Sequence, residues 1–389
     1  MLDSWQLPFF DDHHRALASS LSAWLADQHV DESDDRAACR EWVVRLGHAG
    51  WLKHCVPLAY GGHADVLDTR SLALIREILS QHSTLADFAF AMQGLGSGAI
   101  TLAGTAAQKE AYLPRVARGE ALAAFALSEP QAGSDVANLQ TQATRLNDGF
   151  VLQGHKSWIS NGGLADFYVV FAKTTPDAGS RGISAFIVDS KQPGLDDTAH
   201  MQVMSPHPLA RLSFTHCQIP SSQLLGELNA GFKLAMRTLD IFRTSVAGAA
   251  LGMGRKALQA ALHHSKQRPM FQQTLADFQL TQAKLGEMAC ALEAAALLTY
   301  RAAWWRDAHG SDGPRAVAYT RAAAMAKLTA TENAWRVIDM ALQMHGGLGV
   351  LVGEPLEALY RDIRALRIYE GASEVQQLII GKSLLTHLH

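Results

Sequence analysis

The 389-residue sequence predicts an α+β multidomain protein, with an N-terminal helical domain at residues 1–121, a middle antiparallel β domain at 122–222 and a C-terminal four-helix bundle at 223–389. The periodicity of the apolar residues and the length of the chain predict this fold class. Apolar residues recur at helical spacing up to about residue 122, then form short runs separated by turn residues, and return to helical spacing from Gly231. A chain of this length is also too long for one small core.

The N-terminal domain is predicted from its apolar stripes. After the first stripes, which fall within residues 17–46, two more apolar helices are expected at 71–80 and at about 85–103. Three glycines in the second of these, Gly94, Gly96 and Gly98, do not follow a strand, so they indicate a close helix contact rather than a dinucleotide-binding loop. The first stripes consist of Leu17, Leu21, Trp24 and Leu25, then of Trp42, Val43 and Leu46.

The β domain is predicted from short runs rich in β-branched and aromatic residues, at 122–127, 141–146, 150–155, 167–172, 182–188 and 211–217. Asn147, Asp148 and Gly149 form a strong turn signal between the second and third runs. Because no helical pattern separates the strands, we expect antiparallel pairing. The domain is expected to end at Pro220.

The C-terminal domain is predicted from four long helical segments, at 232–267, 274–308, 315–345 and 373–388. Several of them exceed 25 residues, which is typical of an up-and-down bundle. Gly346 and Gly347 follow the third segment as a C-cap and a glycine-rich turn.

Charge and cysteine content exclude several classes of protein. The 34 Lys plus Arg against 37 Asp plus Glu leave no electrostatic footprint for nucleic acid or an anionic membrane. Cys39, Cys55, Cys217 and Cys290 form no C-x-x-C pair, which indicates reduced thiols in a cytosolic protein. We see no export or transit signal and no run of 18 apolar residues, so a cytoplasmic location is expected.

A carboxylate stands just before the last predicted helix. Glu370 lies between Tyr369 and Gly371, and the spacing of Ser373 and Gln376 is that of a capping box, which predicts a helix start. A short loop at a helix N-terminus is a rigid place for a base, and Gly371 allows a ligand to approach the backbone. Alternatively, Glu370 complements the helix dipole, which is the better interpretation of a lone glutamate.

Two other loops are rich in small and polar residues. The segment L-S-E-P-Q-A-G-S-D at 127–135 offers backbone donors and hydroxyls to an anion or a ring, and W-I-S-N-G at 158–162 adds an indole that can stack on a flat cofactor. Each alone is more often an ordinary turn. P-loop, zinc-protease, nucleophile-elbow and dinucleotide-binding signatures are missing, and the adjacent pairs His13–His14 and His263–His264 lack i, i+4 spacing, so no metal is expected.

Eight segments together resemble the acyl-CoA dehydrogenase family, in the family's order and across nearly the whole chain. The family consists of flavoproteins with the same succession of helical, β and helical domains, so the resemblance implies the acyl-CoA dehydrogenase fold and FAD. The segments are P-L-A-Y-G-G at 57–62, A-L-S-E-P-Q-A-G-S-D at 126–135, G-H-K-S-W-I-S-N-G at 154–162, L-D-I-F-R at 239–243, R-P-M-F at 268–271 with Gln279, Q-M-H-G-G-L-G at 343–349, Y-R-D at 360–362 and I-Y-E-G-A-S-E-V-Q at 368–376.

The resemblance implies a set of FAD contacts. Those expected to line FAD or contact its ring system are Phe125, Leu127, Ser128, Ser134, Trp158, Ile159 and Ser160. Those expected near its pyrophosphate and adenine, partly across a subunit boundary, are Arg268, Phe271, Gln279, Gln343, Gly346 and Gly347, and Ala372 and Glu374 are also placed at the cofactor. The shared site implies a homo-oligomer, most simply a tetramer.

The resemblance also implies substrate contacts. Asp240 and Arg243 are similar to residues on the CoA side, Ser134 lies near the phosphopantetheine arm, and Gly371 adjoins the thioester. Glu370 resembles the catalytic base: desolvation by substrate would raise its pKa above about 4.3 and strengthen it as a base.

The resemblance implies further that the backbone N–H of Glu370 donates to the thioester carbonyl while the flavin takes the β-hydride. Some relatives carry the base one residue before the arginine matched by Arg243. That position is Phe242 here, which leaves Glu370 as the candidate.

Four places depart from the family pattern. Ala372 replaces a usual threonine, Gln272 the glycine after Phe271, and Val350 a common aromatic residue. The segment M-Q-V-M-S-P-H-P-L at 201–209 lacks the usual Lys-Met-Gly-type run. These departures indicate altered contacts at the CoA end and the flavin edge, and hint at an unusual acyl carrier or substrate.

Three functions remain open, in order of preference. The first is FAD-dependent α,β-dehydrogenation of an acyl-CoA to the 2-enoyl-CoA, with electrons passing to an electron-transfer flavoprotein. The second keeps fold and flavin but uses a carrier-protein-bound acyl group, or is an acyl-CoA oxidase or a desulfinase. The third is a flavin-free binding or assembly protein. The absence of arginine at 90–93 disfavours a dicarboxylate substrate such as glutaryl-CoA.

Overall fold

The computed structural model describes residues 3–311 and 313–386, and it confirms the predicted succession of helices, strands and helices. The helices are α1 (Asp12–Ala26), α2 (Asp35–His48), α3 (Thr69–His82), α4 (Thr84–Ala103), α5 (Ala106–Ala117), α6 (Gly231–Gln267), α7 (Gln279–His309), α8 (Ala316–His345), α9 (Pro355–Leu366) and α10 (Ser373–Thr386). The strands are β1 (Ala123–Ala126), β2 (Gln142–Leu146), β3 (Gly149–Ser160), β4 (Phe167–Lys173), β5 (Ile183–Asp189), β6 (Leu195–Met201), β7 (Leu209–Pro220), β8 (Leu224–Leu225), β9 (Pro269–Met270) and β10 (Gln273–Thr274). The final residues of the last predicted helix, 387 and 388, lie outside the described residues.

Backbone contacts divide the chain into two compact units, neither of which is one continuous stretch. Unit 1 contains Met1–Gln28, Thr69–Asp87 and Arg243–His389, and unit 2 contains His29–Asp68 and Phe88–Phe242. The domain boundaries at residues 122 and 223 stay a prediction. Among residues 3–311 and 313–386, no helix has both the length and the apolar character needed to cross a bilayer.

The sheet of unit 2 has the strand order β6-β7-β3-β2-β4-β5-β8, with β1 added on β4. Most pairs are antiparallel, and the predicted turn after Leu146 closes the β2–β3 hairpin with Gly149 opposite it. The pairing of β1 with β4 is parallel, as is one residue pair between β2 and β4. A local run of apolar residues does not reveal this, because the long connection from β1 to β2 allows β1 either direction.

The sequence patterns missed strand β6 and helix α9, as well as the two-residue strands β8, β9 and β10. Strand β6 lies at the edge of the sheet and most of its residues are exposed or half-buried, so it carries no apolar alternation. Helix α9 begins with Pro355 and buries one stripe, consisting of Leu356, Leu359, Ile363 and Leu366. That stripe has helical spacing and could have been found from the sequence.

Gly94 and Gly98 of α4 make a close contact with helix α6, as predicted, whereas Gly96 packs against strand β1. A Cβ at Gly94 or Gly98 would lie 2.4 Å or 2.7 Å from the ring of Phe242, and one at Gly96 would lie 2.6 Å from the Cβ of Ala123. The Phe242 ring is almost fully buried in the cleft that these glycines leave open. Packing therefore explains an aromatic residue at position 242.

In unit 1, helix α3 packs against α1 and α7, while α8 packs against α7, α9 and α10. Helix α6 meets the backbone of α3 at two glycines: a Cβ at Gly248 would lie 2.2 Å from the Ala73 carbonyl oxygen, and one at Gly252 would lie 2.1 Å from that of Glu77. Such distances leave no room for a side chain, so the α3–α6 contact depends on these glycines.

Substituting Gly248 with alanine should lower the melting temperature, because the Ala73 carbonyl must move to admit the methyl group, at a cost of about 1–3 kcal/mol. Gly286 on α7 is the matched control, since its added Cβ meets nothing within 4 Å. The Gly286→Ala variant should melt at the same or a higher temperature, because alanine favours a helix by about 1 kcal/mol over glycine. Equal melting temperatures for the two variants, followed by circular dichroism, would contradict the packing argument.

Candidate active site

Glu370 lies on a strained backbone between α9 and α10. Its φ angle is +52°, a left-handed conformation that non-glycine residues rarely adopt, and Gly371 follows with φ +91°. Such a conformation persists only where surrounding contacts hold it.

Three side chains from different helices hold this loop through its carbonyl oxygens. Arg243 Nε on α6 donates to the Glu370 oxygen at 3.3 Å, Lys327 Nζ on α8 donates to the Gly371 oxygen at 2.9 Å, and Gln376 Nε2 on α10 donates to the same oxygen at 2.9 Å. The loop is thus tied to three helices of unit 1 by polar groups.

The start of α10 is held differently from the sequence prediction. Ser373 is the first residue of α10, as expected, but its hydroxyl donates to Glu332 on α8, and the Gln376 backbone N–H bonds to the Ala372 oxygen at 3.0 Å. Glu332 also forms a 2.8 Å ion pair with Arg367. The predicted capping box is therefore wrong, because the Ser373 hydroxyl binds Glu332 and the Gln376 side chain binds the Gly371 oxygen.

The carboxylate of Glu370 is buried and one of its oxygens is unsatisfied. Although part of the residue is exposed, Oε2 has almost no accessible surface and no hydrogen-bond partner among the described residues. Burial raises the pKa of Glu370 above its ordinary value, while the cations Arg76, Lys327 and Arg243 work against the rise and Asp87 adds to it. A buried carboxylate with a free oxygen and a raised pKa can act as a base.

Arg76 belongs to a buried ion pair inside unit 1. Its Nε and Nη2 bind the two carboxylate oxygens of Asp87 at 2.8 Å and 2.9 Å, and its Nη1 donates to Ser245 at 3.1 Å. Both side chains of the pair are only 3% exposed. The pair therefore supplies fixed charges that act on Glu370 in surroundings of low dielectric.

In unit 2, the predicted flavin loop at 127–135 is anchored by a buried lysine. Lys156 Nζ donates to the Leu127 oxygen at 3.1 Å and to Glu129 at 2.8 Å, and the Ser157 N–H donates to the Ser128 oxygen at 3.0 Å. Burial lowers the pKa of Lys156 to about 8, although Glu129 opposes the shift. The loop therefore leaves β1 in a fixed direction.

The other predicted flavin residues of unit 2 are divided between core and surface. Phe125 is half-buried with its ring centroid 4.9 Å from that of Phe171, and Ile159 is buried. Ser134 is exposed, and Asp240 is half-buried on α6. The Trp158 indole is 53% exposed, on a backbone with φ +62° where β3 loses register with β7. An exposed indole on a fixed strand can stack on a flat ring.

Ser160 is paired with a histidine from the segment at 201–209 that departs from the family. The Ser160 hydroxyl and His207 Nε2 are 3.0 Å apart, and the imidazole lies 4.0 Å from the Phe88 ring. Burial lowers the pKa of His207 to about 3, so its imidazole is neutral near pH 7. The unusual segment therefore places a neutral hydrogen-bond partner on Ser160.

Unit 1 contains a pocket of about 650 Å³ at the ends of α6 and α8. Four predicted cofactor residues line it, namely Arg268, Gln343, Gly346 and Gly347. Gln279 and Phe271 stand outside that lining: Gln279 is the first residue of α7, and Phe271 is 85% exposed.

The pocket combines flat rings with cations. His264 and His345 are stacked at 4.1 Å, and Arg268 and Lys284 also line the pocket. Burial, together with the neighbouring His345 and Arg268, lowers the pKa of His264. The glycine backbone at 346 and 347 is open, with nothing within 4 Å of an added Cβ. Cations beside flat surfaces suit a ligand that carries phosphates and an aromatic base.

Two more predicted residues flank Glu370. Ala372 is half-buried between Gly371 and α10, and Glu374 is exposed in the first turn of α10. Of the residues that sequence reasoning missed, Arg76 and Lys327 interrupt the apolar faces of α3 and α8, where a charge is costly unless it is paired or functional. That interruption is the signal by which both could have been found.

One group of possible metal ligands occurs among residues 3–311 and 313–386, although the sequence predicted no metal. Ligand atoms of Asp11, His13 and His14 lie within 4.8 Å of one another. The His14 Nδ1 atom already accepts the Asp11 backbone N–H at 3.1 Å, as part of the capping box of α1. This hydrogen bond gives the group a structural explanation.

Comparison with known proteins identifies the family. The sequence matches the acyl-CoA dehydrogenase N-terminal domain at residues 11–120, the middle domain at 124–217 and the C-terminal domain at 229–385. It is 38% identical over 385 residues to a 3-(aryl)acrylate reductase of Clostridium sporogenes, covering 97% of this chain and 100% of that protein.

Similar solved structures point to the same family. Butyryl-CoA dehydrogenase from Megasphaera elsdenii matches with a TM-score of 0.90 and 34% identity, over 97% of this chain and 99% of that one. The prolyl acyl carrier protein oxidase AnaB matches with a TM-score of 0.89 and 27% identity, over 96% of this chain and 99% of that one. The chain therefore belongs to the acyl-CoA dehydrogenase family of FAD-dependent oxidoreductases, which act on CH–CH groups.

Proposed function

We propose that the protein dehydrogenates an acyl-CoA thioester at its α and β carbons, with Glu370 as the base that removes the α-proton. The observation that carries the proposal is the Oε2 atom of Glu370, which is buried and unsatisfied on a loop held by three helices. A base in this state accepts a proton without first losing a hydrogen bond.

The charges around Glu370 suit such a base. Burial raises its pKa, which strengthens it towards a weakly acidic α-proton, while Arg76, Lys327 and Arg243 keep part of it ionised before substrate arrives. The backbone N–H of Glu370 would stabilise negative charge on the thioester carbonyl. FAD supplies the acceptor for the β-hydride, so that the α-proton and the β-hydride leave and a C=C bond forms.

FAD fits the residues present. We assign the flavin ring to the exposed Trp158 indole and to Ser160. We assign the adenosine diphosphate end to the pocket of Arg268, Gln343 and Gly346, contacts that the family resemblance implies are made partly across a subunit boundary. The indole offers a flat face and the pocket offers a cation with open backbone, which are the two chemistries that a flavin dinucleotide needs.

We also propose a homo-oligomer that passes electrons to an electron-transfer flavoprotein. Beside the pocket, Phe271, Leu280 and Leu348 are 85%, 81% and 50% exposed. Exposed apolar side chains around a cofactor pocket are expected where a second copy covers it. A tetramer is the assembly that the family resemblance implies.

A second candidate runs the same chemistry in the opposite direction. The similar protein of C. sporogenes is named as a reductase of 3-(aryl)acrylates. AnaB is named as a prolyl acyl carrier protein oxidase, which keeps the oxidative direction and supports an oxidase of a carrier-bound acyl group as a further candidate. In the reductive direction, Glu370 would return a proton to the α-carbon, by microscopic reversibility.

A substrate panel separates these candidates. We expect saturated acyl-CoA thioesters to bleach the yellow enzyme in the absence of oxygen, with turnover restored by an electron-transfer flavoprotein. Turnover only with carrier-protein thioesters, or only with oxygen as acceptor, would favour the oxidase candidate. Oxidation of the pre-reduced enzyme by aryl acrylates or their thioesters, without bleaching by saturated substrates, would favour the reductase.

The Glu370→Gln variant should lose turnover by about 10²–10⁴-fold, because a carboxamide cannot accept the α-proton. It should retain FAD, as judged by its visible absorbance. Glu287→Gln is the control, because Glu287 is an exposed residue of α7 that pairs with Arg336. Full turnover in Glu370→Gln would eliminate Glu370 as the base.

The Arg268→Gln variant should bind FAD about 10–100-fold more weakly, since a charge-assisted hydrogen bond to phosphate contributes about 1.5–3 kcal/mol. Lys266→Gln is the matched control, because Lys266 is an exposed cation near the same end of α6 that does not line the pocket. FAD retained after gel filtration and a fluorescence titration provide the measurement. Equal FAD affinity in the two variants would place the diphosphate elsewhere.

A further inference from the structure

We propose that Lys327 is a positioning residue for the Glu370 loop, which it holds through the Gly371 carbonyl and whose carboxylate it influences through its charge. This inference rests on the proposed function, because it assigns Lys327 a role in keeping the base ready for the α-proton.

The burial of Lys327 calls for an explanation. Its side chain is fully buried on the face of α8 that also carries Ala323, Ala324, Ala326 and Ala330. An ammonium group costs free energy to bury, and alanine or leucine would pack on this face at no such cost. A lysine here therefore points to a task beyond the stability of α8.

The contact of Lys327 identifies that task. Its Nζ donates to the Gly371 oxygen at 2.9 Å, directly after the strained Glu370. Gln376 donates to the same oxygen, but it belongs to α10, which continues from the loop itself. Lys327 is 44 residues away in sequence, so its hydrogen bond ties the loop to an independent helix.

The charge of Lys327 acts on Glu370 together with other groups. Glu370 is influenced by Arg76 from α3, Asp87 from α4, Arg243 from α6 and Lys327 from α8. Arg76 is paired with Asp87, which opposes part of its effect on Glu370, and Arg243 binds the Glu370 carbonyl. Lys327 adds a further positive charge, and its ammonium group is bonded to the Gly371 carbonyl oxygen.

Lys327 can also change its charge within the working range of pH. Burial lowers the pKa of Lys327 to about 8, opposed first by Glu370 and further by Glu332 and Glu374, whereas Arg243 adds to the lowering. Above about pH 8 the amine becomes neutral and its hydrogen bond to Gly371 is no longer charge-assisted. Arginines keep their charge over this range, so Lys327 is the cation at Glu370 that titrates.

The test compares Lys327→Met with Lys256→Met. Lys256 on α6 also donates to a backbone carbonyl, that of His82 at 3.1 Å, and so controls for the loss of a lysine that bonds to the backbone. The readouts are the pH profiles of kcat and kcat/KM, FAD content, and hydrogen exchange of the amides at 371–373 in the absence of substrate.

In Lys327→Met, we expect kcat to fall about 10–100-fold, because the loop loses a fixed position. The acid limb of kcat/KM should move up by about one pH unit, because Glu370 loses a nearby positive charge. In the unsubstituted protein, deprotonation of Lys327 should make kcat decline near pH 8, and this decline should be absent from Lys327→Met. Amides 371–373 should exchange faster in the variant. Lys256→Met should reproduce the original profile and exchange rates.

An unchanged acid limb with unchanged loop exchange in Lys327→Met would overturn the inference, and so would equal shifts in Lys256→Met. If Lys327→Met fails to fold, Lys327→Arg decides: with its charge kept, its acid limb should stay in place, and a shift would overturn the inference. Failure of the proposed function shows separately, as full turnover of Glu370→Gln.

Discussion

The left-handed backbone at Glu370 is the constraint on which the candidate active site depends. A residue with a Cβ resists φ +52°, so the loop must be held from outside, at a cost of about 1–3 kcal/mol for such a conformation. Arg243, Lys327 and Gln376 supply that hold through the carbonyls of Glu370 and Gly371. The same contacts bring two cations close to the carboxylate, so the geometry and the electrostatics of Glu370 have one origin.

Two buried ion pairs lie beside segments of the candidate site. Arg76–Asp87 lies near Glu370, and Lys156–Glu129 anchors the loop at 127–135. Breaking such a pair costs about 3–5 kcal/mol, because it leaves an uncompensated charge inside the protein. An exposed pair such as Arg118–Glu120 contributes only about 0–1 kcal/mol. The buried pairs therefore contribute more to holding the segments beside them than the surface pairs do.

The departures from the family pattern acquire physical meaning in the structure. The segment at 201–209 brings His207 to Ser160, so a neutral imidazole now orients a hydroxyl that the family resemblance assigns to the flavin. Phe242 occupies the position where some relatives carry their base, and its ring fills the cleft left by Gly94 and Gly98. An acid could not replace that ring without opening a cavity, which supports the loop at Glu370 as the place of the base.

The sequence by itself determined the order of helices and strands, the β2–β3 turn and the loop that carries Glu370, because periodicity, turn residues and helix starts depend on neighbours along the chain. It also identified the family, since eight short segments retained their order. Only the tertiary structure decided that β1 pairs in parallel, that Ser373 binds Glu332, and that Arg76, Arg243 and Lys327 converge on Glu370. Arg243 and Lys327 stand 127 and 44 residues from the carbonyls that they bind, and no local pattern encodes contacts over such separations. The chemistry proposed for Glu370 depends on those contacts, because desolvation and charge are properties of the folded surroundings.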